Sequence, residues 1–206
     1  LIGQTLFGIA NFMITIIAYD EWVKINYKFY YLKNRNKNRN IHYSYIKIMG
    51  LVYLFFYLCT SLWLRGNSFE SAIFFITILC VCIFSDIGGY IFGRIIGGKK
   101  LTKISPNKTI AGSIGSFVFS IFPLFLVNLQ NYIIINLDFS FKSILFCLTI
   151  SLFCQLGDLF ISFFKRLNKV KDTGTILPGH GGILDRIDGI ILAIPLAWIL
   201  KVTQIF

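Results

Sequence analysis

The chain has nine carboxylates in 206 residues. Three of them, Asp172, Asp185 and Asp188, fall in one segment, Ser162 to Asp188 (SFFKRLNKVKDTGTILPGHGGILDRID). A fourth, Asp158, lies just upstream inside an apolar run. A carboxylate in hydrocarbon is costly without a cation or metal beside it, so such acids mark a functional site. Asp185 and Asp188 are three residues apart, which places them on one helical face. Gly189 follows them, and His180, Gly181 and Gly182 precede them. Glycines let a backbone approach a phosphate closely, and N–H groups at a helix start attract anions. Paired carboxylates combined with phosphate oxygens suit magnesium. Lys165, Arg166, Lys171 and Arg186 lie alongside. The chemistry expected of this set is a metal-assisted reaction on phosphates.

Two further clusters extend the pattern. Gln155, Asp158, Ser162 and Lys165 follow spacings of three, four and three, so an oily helix carries one polar stripe. Asp158 then lies about 10 Å along the axis from Lys165, roughly two turns deep. A plain interhelical hydrogen-bond seam is the bland reading, but a seam does not require an acid. Upstream, Asp86 and Tyr90 are one turn apart, followed by Gly93 and Arg94, then a loop containing Ser105, Pro106, Asn107, Lys108 and Thr109. The hydroxyls and amines of that loop suit phosphate contacts, while Gly89 and Gly93 read equally well as close helix packing. Asp185–Asp188 alone could be a salt-bridged helix cap, and His180, set among Pro178 and three glycines, reads as a phosphate donor, a general acid or a structural turn residue.

The elements that position these groups are apolar. The chain is 56% hydrophobic and 14% charged, with a mean hydropathy of +0.72, too oily for an ordinary soluble domain. Six candidate membrane spans are expected: Thr5–Tyr19, Ile46–Leu64, Ala72–Phe92, Ser113–Ile135, Ile144–Phe164 and Ile183–Leu200. The first reads as a span and not a signal peptide, since it carries no basic leader and no small-residue cleavage site. The expectation is an all-α polytopic membrane protein, one integral membrane domain over 1–206. The five cysteines lie in apolar runs without metal-type spacing and read as reduced packing residues.

The net charge of +11 would suggest nucleic acid on a soluble protein; here basic loops beside anionic headgroups explain it, and no nucleic-acid partner is expected. Of twenty Lys and Arg, seventeen fall in alternate loops: seven between spans one and two, five between three and four, five between five and six. Only Arg65, Lys142 and Lys201 fall on the other side. Basic loops face the cytoplasm, which places the Lys33–Asn40 patch (KNRNKNRN), the acid-rich segment and the active site on that face and both termini outside.

The segment resembles the phosphatidate cytidylyltransferases, or CDP-diacylglycerol synthases. Their signature has S-x-hydrophobic-K-R-x-x-x-x-K-D, a small residue, then P-x-H-G-G-x-x-D-R-x-D. Ser162, Lys165, Arg166, Lys171, Asp172, Gly174, Pro178, His180, Gly181, Gly182, Asp185, Arg186 and Asp188 all stand in register. Gln155, Gly157, Asp158 and Leu159 also look like the family, as do Asp86, Tyr90, Gly93 and Ser105–Thr109. The resemblance covers 85–189, taken as the catalytic core, with the signature at 162–188. The family commonly has Lys where Asn107 stands and Glu where Ala111 stands, a loss that bears on a second cation site.

The resemblance implies transfer of CMP from CTP to phosphatidate, giving CDP-diacylglycerol and pyrophosphate, at the cytoplasmic face of the cell inner membrane. It implies catalytic roles for Asp158, Asp185, Lys165, Arg166 and His180. Substrate contacts would come from Ser162, Lys171, Asp172, Gly181, Gly182, Arg186, Ser105, Lys108, Thr109 and Tyr90. Magnesium, with a monovalent cation as an optional second ion, would be held by Asp158 and Asp185, with Asp86 or Asp188 completing the shell. A homodimer is one assembly it allows. Two other readings stay open: a CTP-dependent polyprenol or phytol kinase (or a cytidylyltransferase for another lipid phosphate), and an ion-coupled transporter using Asp86 and Asp158.

Overall fold

The computed structural model describes residues 2–32, 39–102, 104–129, 140–179 and 181–204. Eight helices are present among them: α1 (Ile2–Leu32), α2 (Arg39–Arg65), α3 (Phe69–Ile95), α4 (Ile110–Ser120), α5 (Phe122–Leu129), α6 (Phe141–Leu167), α7 (Leu184–Ile187) and α8 (Ile190–Val202). Their starts follow from local chemistry. Ser68, Thr109 and Ser140 each stand in extended backbone before a helix, and their hydroxyl oxygens accept from the N–H groups of Ser71, Gly112 and Ser143. Each cap satisfies a donor that the first turn would leave unpaired.

Among the described residues five helical stretches are long and apolar enough to cross a membrane: Gly3–Tyr27, His42–Arg65, Phe69–Ile95, Ile110–Val127 (α4 with most of α5) and Phe141–Leu167. The protein is thus a helical membrane protein, as the composition implied. Three spans differ from expectation. The first is longer than Thr5–Tyr19, because α1 runs on through the polar stretch Asp20–Lys24, where Asp20 and Lys24 pair one turn apart at 2.5 Å. The fourth is broken between α4 and α5 at Ile121; Pro123 lacks the N–H that would continue the ladder. Its expected end, 130–135, and most of the basic patch at 33–40 lie outside the described residues. The expected span Ile183–Leu200 divides into the single turn α7 and the thirteen-residue α8, with a turn at Asp188–Gly189 between them. A helix of that length is about 20 Å long, short of a bilayer core of about 30 Å.

The core lies where α2, α3, α6 and α8 meet, around Ile78, Val81, Cys147, Ile150, Ile191 and Ile194. Cys82 and Cys154 are buried in it and all five cysteines are free thiols. Trp22 of α1 is also buried: its Nε1 donates to the Ile46 carbonyl at 3.0 Å, and its ring lies 4.6 Å from that of Phe164. Gly50 is the space that the indole occupies. Phe55, Ile83, Leu152, Leu156 and Phe163 face outward, an apolar exterior suited to lipid. Helices also meet through polar pairs, as expected where hydrocarbon offers no other partner: Asn11 donates to Ser61 at 2.5 Å, and the Ser85 and Ser151 hydroxyls lie 2.8 Å apart.

α3 and α4 pack most intimately, and glycines are the reason. A Cβ on Gly88 would collide with the Gly115 carbonyl, and one on Gly115 would stand 2.5 Å from the Phe92 Cβ. Gly89 faces Ser116, and Gly112 faces the Gly89 carbonyl. The packing role of Gly89, left open by the sequence, is therefore present in the structure.

Candidate active site

Three segments converge beside this seam. α3 contributes Asp86 and Tyr90. The loop from Ile96 to Thr109 and the start of α4 contribute Ser105, Lys108, Thr109, Ser113 and Ser116. The third, α6 together with α7 and the turn that follows it, contributes Gln155, Asp158, Asp185 and Asp188. Together these line one cavity of about 390 Å³. The loop folds back on itself, with an isolated antiparallel bridge between Lys100 and Thr109. Lys108 thereby reaches across to pair with Asp158.

The stripe on α6 is real and each member has a task. Gln155 Oε1 accepts from Ser113 Oγ at 2.5 Å, which fastens α4 to α6. Asp158 Oδ1 accepts from Ser162 Oγ at 3.2 Å. Lys165 Nζ donates to Asp185 Oδ1 at 2.8 Å, joining the end of α6 to α7.

The two carboxylates of α7 and its following turn have opposite environments. Asp185 Oδ2 accepts from Thr173 N at 2.7 Å and Gly182 N at 3.0 Å, and Thr173 Oγ1 lies 2.9 Å from it. Burial alone would raise its carboxyl, but Lys165 and the two backbone donors hold it below the usual range. Asp188 is pushed well above that range, first by burial and then by the neighbouring Asp158 carboxylate, against the weaker pull of Lys165 and the Gly189 N–H. Asp158 and Asp188 come together because their chain neighbours are glycines: Gly157 lies against the Asp188 carbonyl, and Gly189 against Cys154.

The cavity lining brings together Asp86, Tyr90, Ser105, Lys108, Thr109, Asp158, Asp185 and Asp188 from the sequence-derived set. It does not include Arg166, Lys171, Asp172 or Arg186, which are exposed. Arg166 Nε donates to the Ile104 carbonyl at 3.3 Å and so braces the Ser105–Thr109 loop from outside. Ser162 is buried behind Asp158. Gly181 takes a positive φ of 83°, which favours glycine, and lies against Asp172 and Asp185. Gly182 packs on Thr173 and Glu21. His180 lies outside the described residues.

Glu21 and Thr173 went unrecognised in the sequence. Glu21 is one of two glutamates in the chain and lies two residues beyond the expected first span, in a polar stretch that only the structure shows to continue the helix. Among the described residues no three His, Cys, Asp or Glu side chains are grouped so as to hold a metal ion by themselves. Asp158 and Asp188 do present two adjacent carboxylates to the cavity, a donor set that fits a magnesium ion when phosphate oxygens and water complete its shell. Asp185 fits less well, since its oxygens take donors from Lys165, Thr173 and Gly182, whereas those of Asp158 are met by Ser162 and Lys108.

The fold and the cavity thus define a helical membrane protein with acids and amines meeting between its helices. The chain belongs to the cytidylyltransferase family, whose model matches residues 1–203. It is similar to the phosphatidate cytidylyltransferase of Staphylococcus epidermidis, 42% identical over 159 residues that make up 76% of this chain and 56% of that protein. It is 40% identical to that of Rickettsia bellii over 139 residues, 66% of this chain and 58% of that one. It is also 40% identical to that of Staphylococcus aureus over 164 residues, 76% of this chain and 56% of that one. The chain spans about half the length of the curated relatives it matches.

Proposed function

We propose that this chain carries the site that transfers CMP from CTP to phosphatidate. The observation that carries this reading is the meeting of Asp158, Asp188, Asp86 and Lys108 in one cavity between membrane helices. The names of the relatives support the choice of substrates.

A lipid-phosphate oxygen attacks the α-phosphorus of CTP. A new P–O bond forms, the α–β phosphoanhydride bond breaks, and pyrophosphate leaves. Such a reaction needs positioning and charge neutralisation more than covalent help. Lys108, with Ser105 and Thr109 beside it, is placed to hold phosphate oxygens at the cavity wall. Lys165 keeps Asp185 ionised and α7 in place, so that Asp188 stays beside Asp158. Asp158 and Asp188, with Asp86 across the cavity, would hold magnesium. When bound, it neutralises charge on the phosphates and on the departing pyrophosphate. Arg166, Lys171 and Arg186, which are exposed, would attract the two polyanions. The segment 85–189 is the proposed catalytic core. The surplus of basic residues in alternate loops supports a cavity opening to the cytoplasm, where CTP is found, in a multi-pass protein of the cell inner membrane. A homodimer is compatible with this site and is tested by the mass of the protein in detergent.

The test uses purified protein, magnesium, phosphatidate and CTP labelled either at the α- or at the γ-phosphate. Label from the α-position in the lipid product is the expected result. Label from the γ-position would instead identify a lipid kinase, and cation flux in liposomes without any CTP turnover would identify a transporter.

A further inference from the structure

We propose that Glu21, in the first helix, is a positioning residue of the active site. It holds the loop that carries Asp185 and Asp188, which lie more than 160 residues away in sequence.

Glu21 is 2% exposed, and both its oxygens are engaged. Oε1 accepts from the Ile183 N–H at 3.0 Å. Oε2 accepts from the Leu184 N–H at 2.9 Å and from Thr173 Oγ1 at 2.9 Å. Ile183 and Leu184 open α7, so the carboxylate satisfies N–H groups that a helix start leaves unpaired. The Ile183 side chain makes no such cap, and none of its atoms could. Thr173 then links the acid to the site. Its backbone N–H and hydroxyl both lie against Asp185 Oδ2.

The surroundings are shaped for this carboxylate. A Cβ on Gly174 would collide with Glu21 Oε1, and one on Gly182 would collide with Glu21 Oε2 and Thr173 Oγ1. These two glycines of the signature segment therefore make room for an acid from another helix. A buried carboxylate of this kind persists only when hydrogen bonds replace its lost water. The three donors it takes all belong to the segment 173–184. α7 is a single turn, joined to α8 through Asp188 and Gly189 in helical backbone, and its direction is set between α8 and what grips its first residues. That direction sets where Asp188, at its far end, meets Asp158.

The catalytic part of this inference rests on the proposed transferase reading; the structural part does not. The test therefore has two arms, both on the full chain purified in detergent. The first is amide hydrogen exchange in Glu21→Gln. An amide in place of the carboxylate sets an NH₂ group against donors that need an acceptor. Exchange at Ile183 and Leu184 is expected to quicken about ten-fold or more, with the α6 amides unchanged. The second arm is steady-state CMP transfer. Turnover is expected to fall about ten-fold or more with KM for CTP within about two-fold, and Glu21→Asp to recover part of the loss. Gly174→Ala, which keeps the carboxylate but displaces it, should reproduce both effects, and serves if Glu21→Gln does not accumulate. Unchanged exchange at 183–184, or quickened exchange spread evenly over α6 as well, would overturn the proposal. So would wild-type turnover in Glu21→Gln. Local quickening in Glu21→Gln when the wild type itself shows no CMP transfer would leave the grip in place and sink the transferase reading instead.

Discussion

Gly157 of α6 rests directly on the backbone at Asp188: a Cβ added there would stand 2.5 Å from the Asp188 carbonyl oxygen and 3.1 Å from the Gly189 Cα. Gly189 is equally tight, with Cys154 Sγ 2.6 Å from the place its Cβ would take. This double close approach brings Asp158 and Asp188 together. Gly157→Ala must push the two segments apart, at a cost of about 1–3 kcal/mol for overpacking. CMP transfer should fall far more than stability does, because the carboxylates separate. Gly8→Ala is the control: its nearest neighbour would be Leu62 at an ordinary 3.7 Å. Comparing thermal unfolding and turnover for the two variants checks this.

Lys165 and Asp185 are both largely buried, with side chains 13% and 9% exposed. The folded protein holds Asp185 below its usual range. Its contribution to stability is therefore complete above about pH 4, the ordinary carboxylate value, and is lost as pH falls below it through the folded value. Lys165→Met should unfold at a lower temperature than the wild type at neutral pH. The gap should hold down to about pH 5 and narrow in stronger acid. A gap that widened on acidification would contradict the assignment.

Asp188 carries the opposite sign. Its folded value is raised, so the penalty for ionising it is absent in acid and grows as pH rises past the ordinary carboxylate range. Asp188→Asn removes that penalty. In buffer without divalent cations the variant should melt higher than the wild type at pH 8, by about 2–4 °C for each kcal/mol relieved, with little difference near pH 4. Added magnesium should raise the melting temperature of the wild type but not of the variant, and the variant should lose CMP transfer. Scanning calorimetry with and without magnesium measures all three.

The Tyr53 hydroxyl is buried without a hydrogen-bond partner among the described residues, while its ring packs 5.4 Å from Phe160. A buried, unsatisfied hydroxyl costs about 1–3 kcal/mol. Tyr53→Phe keeps the ring and removes the cost, so it should stabilise the protein by about 1 kcal/mol or more. A fall in melting temperature would mean that the hydroxyl is satisfied in the membrane.

Much of the fold was legible along the chain. Helices α2, α3 and α6 coincide with runs whose hydropathy alone predicts a span, because a membrane segment must satisfy its backbone internally and hide no polar side chain from lipid without cause. The α6 stripe was legible for the same reason. Its period of three and four residues places Gln155, Asp158, Ser162 and Lys165 on one face whatever surrounds the helix. The break at Asp188–Gly189 was not, since apolar side chains continue on both sides and nothing local requires a turn there. Nor were Asp185's partners: Thr173 and Gly182 reach it from separate points of a loop without regular period.

A helical membrane protein, the acids sunk in its apolar runs and the family to which its signature points can all be read along the chain. These depend on composition and short-range spacing, which hydrocarbon and the helix repeat read directly. Which acid faces which is settled by the packing of distant segments. Asp158 meets Asp188 and Lys108, Asp185 is taken by Lys165 and Thr173, and Glu21 grips a loop from the far end of the chain. Those pairings rest on glycine-sized gaps between elements remote in sequence, and a gap belongs to neither segment until the two have packed.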